Sequence, residues 1–394
     1  MHCPFSYARS FSYLLLASYG VDCDFWRTEM CCGTEDEGYL SEENTSSDIP
    51  LSIWAGEEYE GRRYHALHAG KYPFPDDEAE YERLNIMHLV WKSVLEGSGS
   101  LSLINTFEPL TVLDVGTGPG EWAVDFARQH PYAIVTGLDL SPPRCPWEPR
   151  NLEFEVCDFD DPWPPTKYDF IHGRLLAGSI RDAPIFIQRC SDSLNAGGTV
   201  ELQDVLPFRC DDGSLAGTSL EEYGTSMQMA ARRRGLNLEI ALQYEAAMRE
   251  AGLQDVHFEI RKLPLNAGPE NPALHRTGDL LVKSILVGLS GMSLKPLKQD
   301  LNMQEEEYQA LLFNVRQDVR NCRIHAYLPM FVHSSIKPAL EELTRPASLS
   351  MAANHAHHSS SVEPTTSFSH QHCRYMTQSV HFDNLVLALL LIGK

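Results

Sequence analysis

The sequence predicts an α/β fold in which a mostly parallel sheet carries helices on both of its faces. Short apolar segments alternate with helical patterns from Leu110 to Val332. Regular alternation of this kind is typical of parallel strands joined by helical crossovers. Three consecutive apolar segments end in an aspartate, at Asp114, Asp139 and Asp158, and a glycine-rich turn follows the first of them. These features predict a ligand site at the carboxyl edge of the sheet.

Seven segments have the composition of buried strands, and seven have helical spacing of apolar residues. The expected strands cover residues 110–115, 133–139, 152–158, 168–172, 199–205, 256–263 and 323–332. The expected helices cover residues 57–63, 76–95, 121–129, 183–194, 238–251, 278–289 and 304–319. Glycines at Gly197 and Gly252 mark the ends of two of these helices, because glycine favours the conformation that terminates a helix.

The composition limits the location and the partners of the protein. The chain has 394 residues, is 43% hydrophobic and carries a net charge of −22. Nucleic acid and anionic membranes would repel this charge, so neither is expected as a direct partner. The ten cysteines are scattered, which indicates a reducing compartment and a cytoplasmic location. The apolar runs at 11–19 and 384–393 are shorter than the roughly 20 residues of a membrane span.

The pattern of folded elements is confined to the middle of the chain. Residues 1–55 are predicted to be a mostly disordered extension, residues 56–338 the folded domain, and residues 339–394 a disordered tail rich in serine and histidine. Several tail residues are of types that bind metals. The sequence around them predicts no rigid structure that would hold such ligands in place, so no metal site is predicted. They are His355, His357, His358, His370, His372 and Cys373.

The glycine-rich turn indicates the kind of ligand. A buried strand ends in Asp114, and the turn that follows contains Gly116, Gly118 and Gly120 before a helix begins at Glu121. Glycines let the backbone approach a ligand without a Cβ in the way. The spacing is G-x-G-x-G, and an acid stands where dinucleotide-binding strands usually run apolar towards an anionic pyrophosphate. An acid suits a ligand with an ammonium group, such as S-adenosylmethionine (SAM).

The two later aspartates extend this interpretation. Asp139 lies 21 residues after Gly118, and an acid at the end of the second strand of a doubly wound fold bonds ribose hydroxyls. Asp158 ends the third strand and is placed to meet the adenine amino group. The three strand-terminal acids together favour SAM as the cofactor.

The stretch from about residue 59 to 338 resembles the LaeA-like methyltransferases of filamentous fungi, which are class I SAM-dependent enzymes and regulators tied to secondary metabolism. The combination of segments carries the resemblance, since the glycine motif alone would indicate only the superfamily. The segments are Gly61-Arg-Arg-Tyr-His65, Lys71-Tyr-Pro73, Leu113-Asp-Val-Gly-Thr-Gly-Pro-Gly-Glu-Trp-Ala123, Gly137-Leu-Asp-Leu-Ser-Pro142, Asp158-Phe-Asp-Asp-Pro-Trp163, Phe170-Ile-His-Gly-Arg174, Gly178-Ser-Ile180, Gly197-Gly198, Val200-Glu-Leu-Gln203 and Ile324-His-Ala-Tyr327.

This resemblance implies a Rossmann-like class I methyltransferase fold, with a seven-stranded, mostly parallel sheet whose last strand is antiparallel. It also implies that the segment around Tyr64 folds over the cofactor. The SAM contacts that follow are Tyr64, Asp114, Gly116, Gly118, Gly120, Asp139 and Asp158. Cys157 departs from the family pattern, in which another acid often precedes Asp158.

His172 and Arg174 are the candidate catalytic residues, because both lie at the carboxyl end of the fourth strand. His172 either accepts a proton from the substrate or only hydrogen-bonds the cofactor or a loop. Arg174 either holds an acidic substrate group or pairs with Asp169 or Asp182. His65 and His88 are alternatives that suit packing better than catalysis.

Aromatic and apolar residues are expected to wall the cleft. Cation–π attraction to a sulfonium makes Trp122, Trp147 and Trp163 candidates, with core packing as the alternative for each. The substrate pocket is expected from the N-terminal helices and from residues 207–235 and 265–321. Apolar residues in these segments indicate either an apolar substrate or an ordinary core; they include Met227, Met229, Leu280, Leu281 and Leu286.

Two functions fit these features. In the first, the protein O- or N-methylates a small-molecule secondary metabolite in a fungal pathway. The acidic composition and the lack of a basic nuclear-import cluster favour it. In the second, the protein is a LaeA-like regulator that binds SAM and acts through protein partners in the nucleus, with residues 1–55 as a docking arm. A SAM-binding fold without methyl transfer is a third alternative, which the intact cofactor acids disfavour.

Overall fold

The computed structural model describes residues 53, 55–97, 99–102, 109–143, 149–265 and 272–339. The predictions for the N-terminal extension and for the tail, including its histidines, fall almost wholly outside these residues. Trp147 also lies outside them.

A seven-stranded sheet forms the centre of the described protein. The strands β1–β9, in chain order, span Glu57–Tyr59, Arg62–Tyr64, Thr111–Val115, Ile134–Asp139, Leu152–Val156, Tyr168–Arg174, Leu194–Val205, Gln254–Pro264 and Tyr327–Ile336. Strands β3–β9 make the sheet, in the order β5-β4-β3-β6-β7-β9-β8. Strand β9 is antiparallel to both of its neighbours, β7 and β8, and the pairs among β3 to β7 are parallel. This arrangement confirms the expected sheet and its antiparallel last strand.

Helices pack on both faces of this sheet, as expected. The helices α1–α7, in chain order, span Glu78–Val94, Glu121–Gln129, Ala183–Ser193, Ser219–Arg233, Tyr244–Glu250, Pro272–Ser293 and Glu305–Arg320. Successive residues of β3 point to opposite faces. Leu113 accordingly shares a buried cluster with Ile187 of α3, whereas Val112 shares another with Val124 of α2.

Parallel pairing brings polar residues of three strands side by side near the carboxyl edge. Asp114 of β3 is in register with His172 of β6, which is in register with Glu201 of β7. One pleat further along, Arg174 is in register with Gln203. Because side chains two residues apart share a face, these five side chains form one polar layer on the α2 side of the sheet.

A layer of helices outside the sheet completes the domain. Helices α1, α4, α6 and α7 share one apolar cluster that includes Trp91, Tyr223, Leu289 and Leu312. Helices α1 and α6 pack against each other. Together these helices form a second buried core beside the sheet.

Residues 57–63 were expected to be helical, and this prediction was wrong. They form most of the hairpin β1–β2, in which Tyr59 pairs with Arg62. The two turn residues, Glu60 and Gly61, have φ angles of 47° and 74°. Positive φ at both central positions is the geometry of a two-residue type I′ turn, for which glycine is favoured. The segment is too short for its periodicity to distinguish a helix from a strand, and the turn-forming Gly61 favours the hairpin.

Other elements differ from the prediction in their extent. Helix α4 was not predicted; it begins after Thr218, whose hydroxyl accepts the backbone N–H of Glu221 at 3.2 Å and so caps the helix. The expected helix over 238–251 is divided into a 3₁₀ turn, Ile240–Gln243, and α5. Helix α6 is longer than expected and continues into a π-helical segment, Leu294–Asp300.

The segment Leu274–Asp300 has the length and composition of a membrane span, with a mean hydropathy of 1.4, although no span was expected from the sequence. In the structure 61% of its most apolar window is buried inside the protein. Leu281 and Leu289 are fully buried in the core shared with α1. Helix packing within the domain accounts for this apolar composition.

Candidate active site

A cavity of about 350 Å³ lies at the carboxyl edge of the sheet. Its wall combines the ends of β3, β4, β6 and β7 with residues of α1, α4 and α6. This is the edge at which open parallel sheets bind their ligands. The cavity therefore lies where the strand-terminal acids predicted a site.

The three glycines of the turn after β3 have different roles. All three have positive φ: 66° at Gly116, 58° at Gly118 and 90° at Gly120. A Cβ at Gly116 would lie 2.5 Å from Leu176, and one at Gly120 would lie 2.7 Å from the ring of Phe154, so both glycines permit close packing. At Gly118 the nearest atom would be 3.8 Å away, on Leu84. Gly116 and Gly118 line the cavity, and Gly120 does not.

Asp139, at the end of β4, hydrogen-bonds to the backbone of this turn. Its carboxylate accepts the backbone N–H of Gly118 at 2.8 Å and that of Ser141 at 3.3 Å. Burial raises the pKa of Asp139 to about 6, although these hydrogen bonds oppose the shift. Asp139 lines the cavity, where its carboxylate can accept hydroxyl groups of a ligand.

Asp114 and His172 form a hydrogen-bonded pair in the cavity wall. Asp114 accepts the hydroxyl of Thr117 at 2.6 Å and lies 2.7 Å from His172 Nδ1. The imidazole stacks on the Trp122 indole, with ring centres 3.7 Å apart. His172 has 0% exposure, and its Nε2 is buried without a hydrogen-bond partner among the described residues. In this conformation Nε2 cannot receive a proton from a ligand unless a side chain moves.

Arg174 also lines the cavity, but neither of its predicted acidic partners is near. Asp169 accepts hydrogen bonds from Thr111 and Asn195. Asp182 caps α3 by accepting the backbone N–H of Ile185. Both acids serve the local structure of other elements, so neither pairing with Arg174 is formed.

Asp158 is buried but does not line the cavity. Lys71 Nζ lies 2.5 Å from both of its oxygens, and His68 Nδ1 lies 2.6 Å from one. Hydrogen bonds from Lys71 and from the backbone N–H of Asp160 lower the pKa of Asp158 in spite of its burial. Asp158 does not line the cavity, and its contact with the adenine amino group stays a prediction. His68, Asp158 and Asp161 bring possible metal-ligand atoms within 4.8 Å of one another, but Lys71 already supplies a cation there.

Tyr64 is not among the residues that line the cavity, so its contact with SAM stays a prediction. Its ring is fully buried under Lys295, whose Nζ lies 3.5 Å from the ring centre. The segment that follows does line the cavity, through His65, Tyr72 and Phe74. The N-terminal segment thus contributes to the wall, and alternation along β2 turns Tyr64 away from it.

The apolar part of the wall comes in part from the segments that were expected to form the substrate pocket and in part from residues outside them, such as Leu328. Phe208, Met227, Met292 and Leu328 line it. Of the three tryptophans, Trp122 lines the cavity, whereas Trp163 packs against the sheet core and donates to the carbonyl of Phe159 at 2.7 Å. The other suggested apolar residues do not line the cavity: Met229, Leu280, Leu281 and Leu286.

The sequence interpretation missed four polar residues of the wall. Glu80 and Arg83 of α1 form a buried ion pair at 2.6 Å, and Tyr223 of α4 is a buried tyrosine. Asp204, at the end of β7, is buried and accepts the Tyr244 hydroxyl at 2.9 Å and the backbone N–H of Ala177 at 3.2 Å. Asp204 could have been found from the sequence, because it is a further strand-terminal acid.

Comparison with known proteins identifies the family of the chain. A family model described as a methyltransferase domain matches residues 98–258. The methyltransferase pytC of Aspergillus terreus is 32% identical over 307 residues, which cover 77% of this chain and 94% of pytC. The secondary metabolism regulator laeA of Monascus pilosus is 30% identical over 318 residues, covering 77% of this chain and 85% of laeA.

Among solved structures, the phosphoethanolamine N-methyltransferase 2 of Haemonchus contortus, in complex with S-adenosyl-L-methionine, matches with 17% identity and a TM-score of 0.40. The match covers 66% of this chain and 59% of that one.

The sheet order and the methyltransferase match define the class: the protein is a methyltransferase with the class I SAM-dependent fold. Within that class, the chain belongs to the family of fungal methyltransferases that contains pytC and laeA.

Proposed function

We propose that this protein transfers a methyl group from SAM to a small-molecule secondary metabolite. The cavity carries the proposal. Its volume of about 350 Å³ falls within the range of small-ligand pockets. One half contains the glycine turn and two strand-terminal acids, and the other half is walled by apolar residues such as Phe208 and Met227. A cofactor half joined to an apolar half fits a small organic acceptor better than a protein segment.

The residues present fit SAM as the cofactor. The space beside Gly118 lets a ligand approach the backbone, and Asp139 offers an acid beside the turn. Asp114 adds negative charge close to where the ammonium group of SAM is expected. Gly116, Gly118, Asp114 and Asp139 would therefore hold the cofactor. When bound, SAM supplies an activated methyl group on a sulfonium.

The chain's own residues then have two tasks, to orient the acceptor and to exclude water. The stacked ring of Trp122 and the apolar wall serve both tasks. A general base is needed only if the acceptor atom carries a proton of high pKa that must be removed during transfer. His172 stays the candidate for that step, with the requirement that its buried Nε2 becomes accessible when the substrate binds.

The relatives support both functions that fit the sequence. One is named a methyltransferase and another a regulator of secondary metabolism. The regulator is the second candidate, and its support is the laeA identity of 30%. In that case the partners are proteins, and the nucleus replaces the cytoplasm as the expected location.

Labelled SAM distinguishes these functions. The purified full-length protein is incubated with SAM carrying a ¹⁴C-methyl group and with a fungal extract separated into small-molecule and protein fractions. We expect label in an organic-soluble compound. Label confined to protein, or tight SAM binding without transfer to any fraction, would favour the regulator instead. An Asp139→Ala protein serves as the control for transfer that does not depend on the site.

A further inference from the structure

Arg174 is a half-buried arginine in the cavity wall, and its hydrogen-bond partners among the described residues are all uncharged. Its Nε donates to the side-chain oxygen of Gln203 at 2.7 Å, and its Nη2 donates to the carbonyl of Gly99 at 3.0 Å. Its Nη1 lies 3.2 Å from Nδ1 of His88. Within the described part of the chain, no carboxylate oxygen lies within 4.0 Å of this guanidinium.

The nearest acids are held by other groups. Glu201 accepts hydrogen bonds from the loop 99–102 and from Gln203. Asp114 is bound by Thr117 and His172, as described above. Asp125 is bound by His88 at 3.0 Å and by Lys92 at 2.9 Å. None of these carboxylates is free to move to Arg174 without losing its own partners.

The guanidinium of Arg174 keeps N–H donors that its contacts with the described residues do not use. Burial lowers the pKa of Arg174 to about 10, although the charges of Asp114, Glu201 and Asp125 oppose the shift. A guanidinium has five N–H donors, and the described contacts use three of them. The Trp91 ring, 5.1 Å from the guanidinium carbon, holds the group in place.

We propose that the methyl acceptor is an organic acid whose anionic group binds Arg174. This inference rests on the small-molecule function proposed above and specifies its substrate class. Arg174 lies two residues after His172 on β6, so both side chains share one face, and both line the cavity. The anionic group at Arg174 therefore lies next to the cofactor half, and the apolar body of the acid lies against Phe208 and Met227.

The test separates acceptors by charge. The small-molecule fraction of the extract is divided at pH 7 on an anion exchanger into retained acids and an unretained pool. Each pool is incubated with ¹⁴C-methyl SAM and with wild type, Arg174→Gln, Arg174→Lys or Arg249→Gln. Arg249 is an exposed arginine on α5 that pairs with Glu245, so its substitution is the matched control for loss of a positive charge.

We expect label mainly in products of the retained acids. Arg174→Gln should lower transfer to that pool about ten- to a hundredfold through a raised KM, the effect of losing charge-assisted hydrogen bonds. Arg174→Lys should recover part of the loss, because it restores the charge without the planar guanidinium. Arg249→Gln should behave like wild type. SAM affinity and the thermal midpoint, measured for every variant, separate a substrate effect from a folding defect.

This inference would be overturned if label appeared only in the unretained pool and Arg174→Gln transferred methyl groups at the same rate as the wild type. The small-molecule function would then remain intact. A rise in the SAM dissociation constant equal to the loss of transfer would assign Arg174 to the cofactor instead, and would also overturn it. Absence of label from both pools would overturn the acid acceptor and the small-molecule function together.

Discussion

Asp139 and Asp204 show at the scale of single residues how similar strand ends acquire different roles. Asp139 is the last residue of β4, Asp204 is the residue before the last of β7, and both line the cavity. Asp139 is bonded to the glycine turn, so its position is coupled to the backbone that a cofactor would approach. Asp204 is bonded to Tyr244 and to the turn after β6. The first is therefore placed for a ligand, and the second mainly for holding two elements together.

Replacement of Asp139 by alanine should weaken SAM binding by about 1–3 kcal/mol, the cost of leaving buried hydrogen-bonding groups without partners. Titration calorimetry of the wild type and the variant would measure it. Asp192→Ala on the exposed end of α3 is the control for loss of one negative charge. Equal SAM affinity of wild type and Asp139→Ala would remove Asp139 from the cofactor site.

Asp204 should make stability depend on pH. Burial raises its pKa from 3.8 to about 7, so the folded state binds the proton more tightly than the unfolded state. The stabilisation from this proton is complete below about pH 4 and is lost as the pH rises to about 7. Between pH 5 and pH 8 wild type should lose about 2–3 kcal/mol relative to Asp204→Asn. Urea unfolding of both proteins at the two pH values would reveal the difference, and parallel pH curves would contradict the assignment.

Two glycines show at the scale of elements how helix packing shapes the cavity. Gly288 of α6 lies where Arg83 of α1 crosses, and a Cβ built there would be 2.1 Å from Cδ of that arginine. Arg83 is held by its two hydrogen bonds to Glu80. Gly224 of α4 has only a 4.0 Å contact, to Phe208. The first glycine is thus required by packing, and the second is not.

Alanine at these two positions should have opposite effects on stability. Gly288→Ala is expected to lower the free energy of unfolding by about 1–3 kcal/mol, because Arg83 must shift and its buried pair with Glu80 is disturbed. Gly224→Ala should raise it by up to about 1 kcal/mol through helix propensity. Denaturant unfolding of both variants would test this. A stabilised Gly288→Ala protein would show that Arg83 moves at little cost.

At the scale of the whole molecule, the cavity depends on two layers that meet at the carboxyl edge of the sheet. The sheet contributes the acids and the glycine turn, and the helical layer contributes the apolar wall. All the named strands and helices fall between Glu57 and Ile336. The predicted domain, residues 56–338, therefore contains both layers.

A protein shortened to residues 51–343 should accordingly keep the fold and the SAM site. We expect its SAM dissociation constant to match that of the full chain within about twofold, because both walls of the site are retained. Calorimetry and the thermal midpoint would make the comparison. Loss of SAM binding with an intact fold would mean that residues outside this range complete the site.

Much of the fold could be predicted because its signals are local. Each strand of the sheet is a short apolar run, and the turn after β3 is marked by glycines three times within five residues. Local signals failed at residues 57–63, where seven residues are too few to separate helical from strand periodicity. No local sequence pattern predicted the π-helical segment after α6.

The site could be predicted only in outline. The location of the site at the carboxyl edge followed from the alternation of strands and helices, because open parallel sheets bind their ligands at that edge. The partners of each side chain did not follow. Lys71 binds Asp158 across 87 residues, and Gln203 meets Gly99 across 104. Such contacts depend on how distant segments pack, which no periodicity of one segment encodes. For this reason the fold class and most strand-terminal acids could be inferred from the chain alone. The burial of His172, the absence of Tyr64 from the cavity and the uncharged hydrogen-bond partners of Arg174 among the described residues required the folded protein.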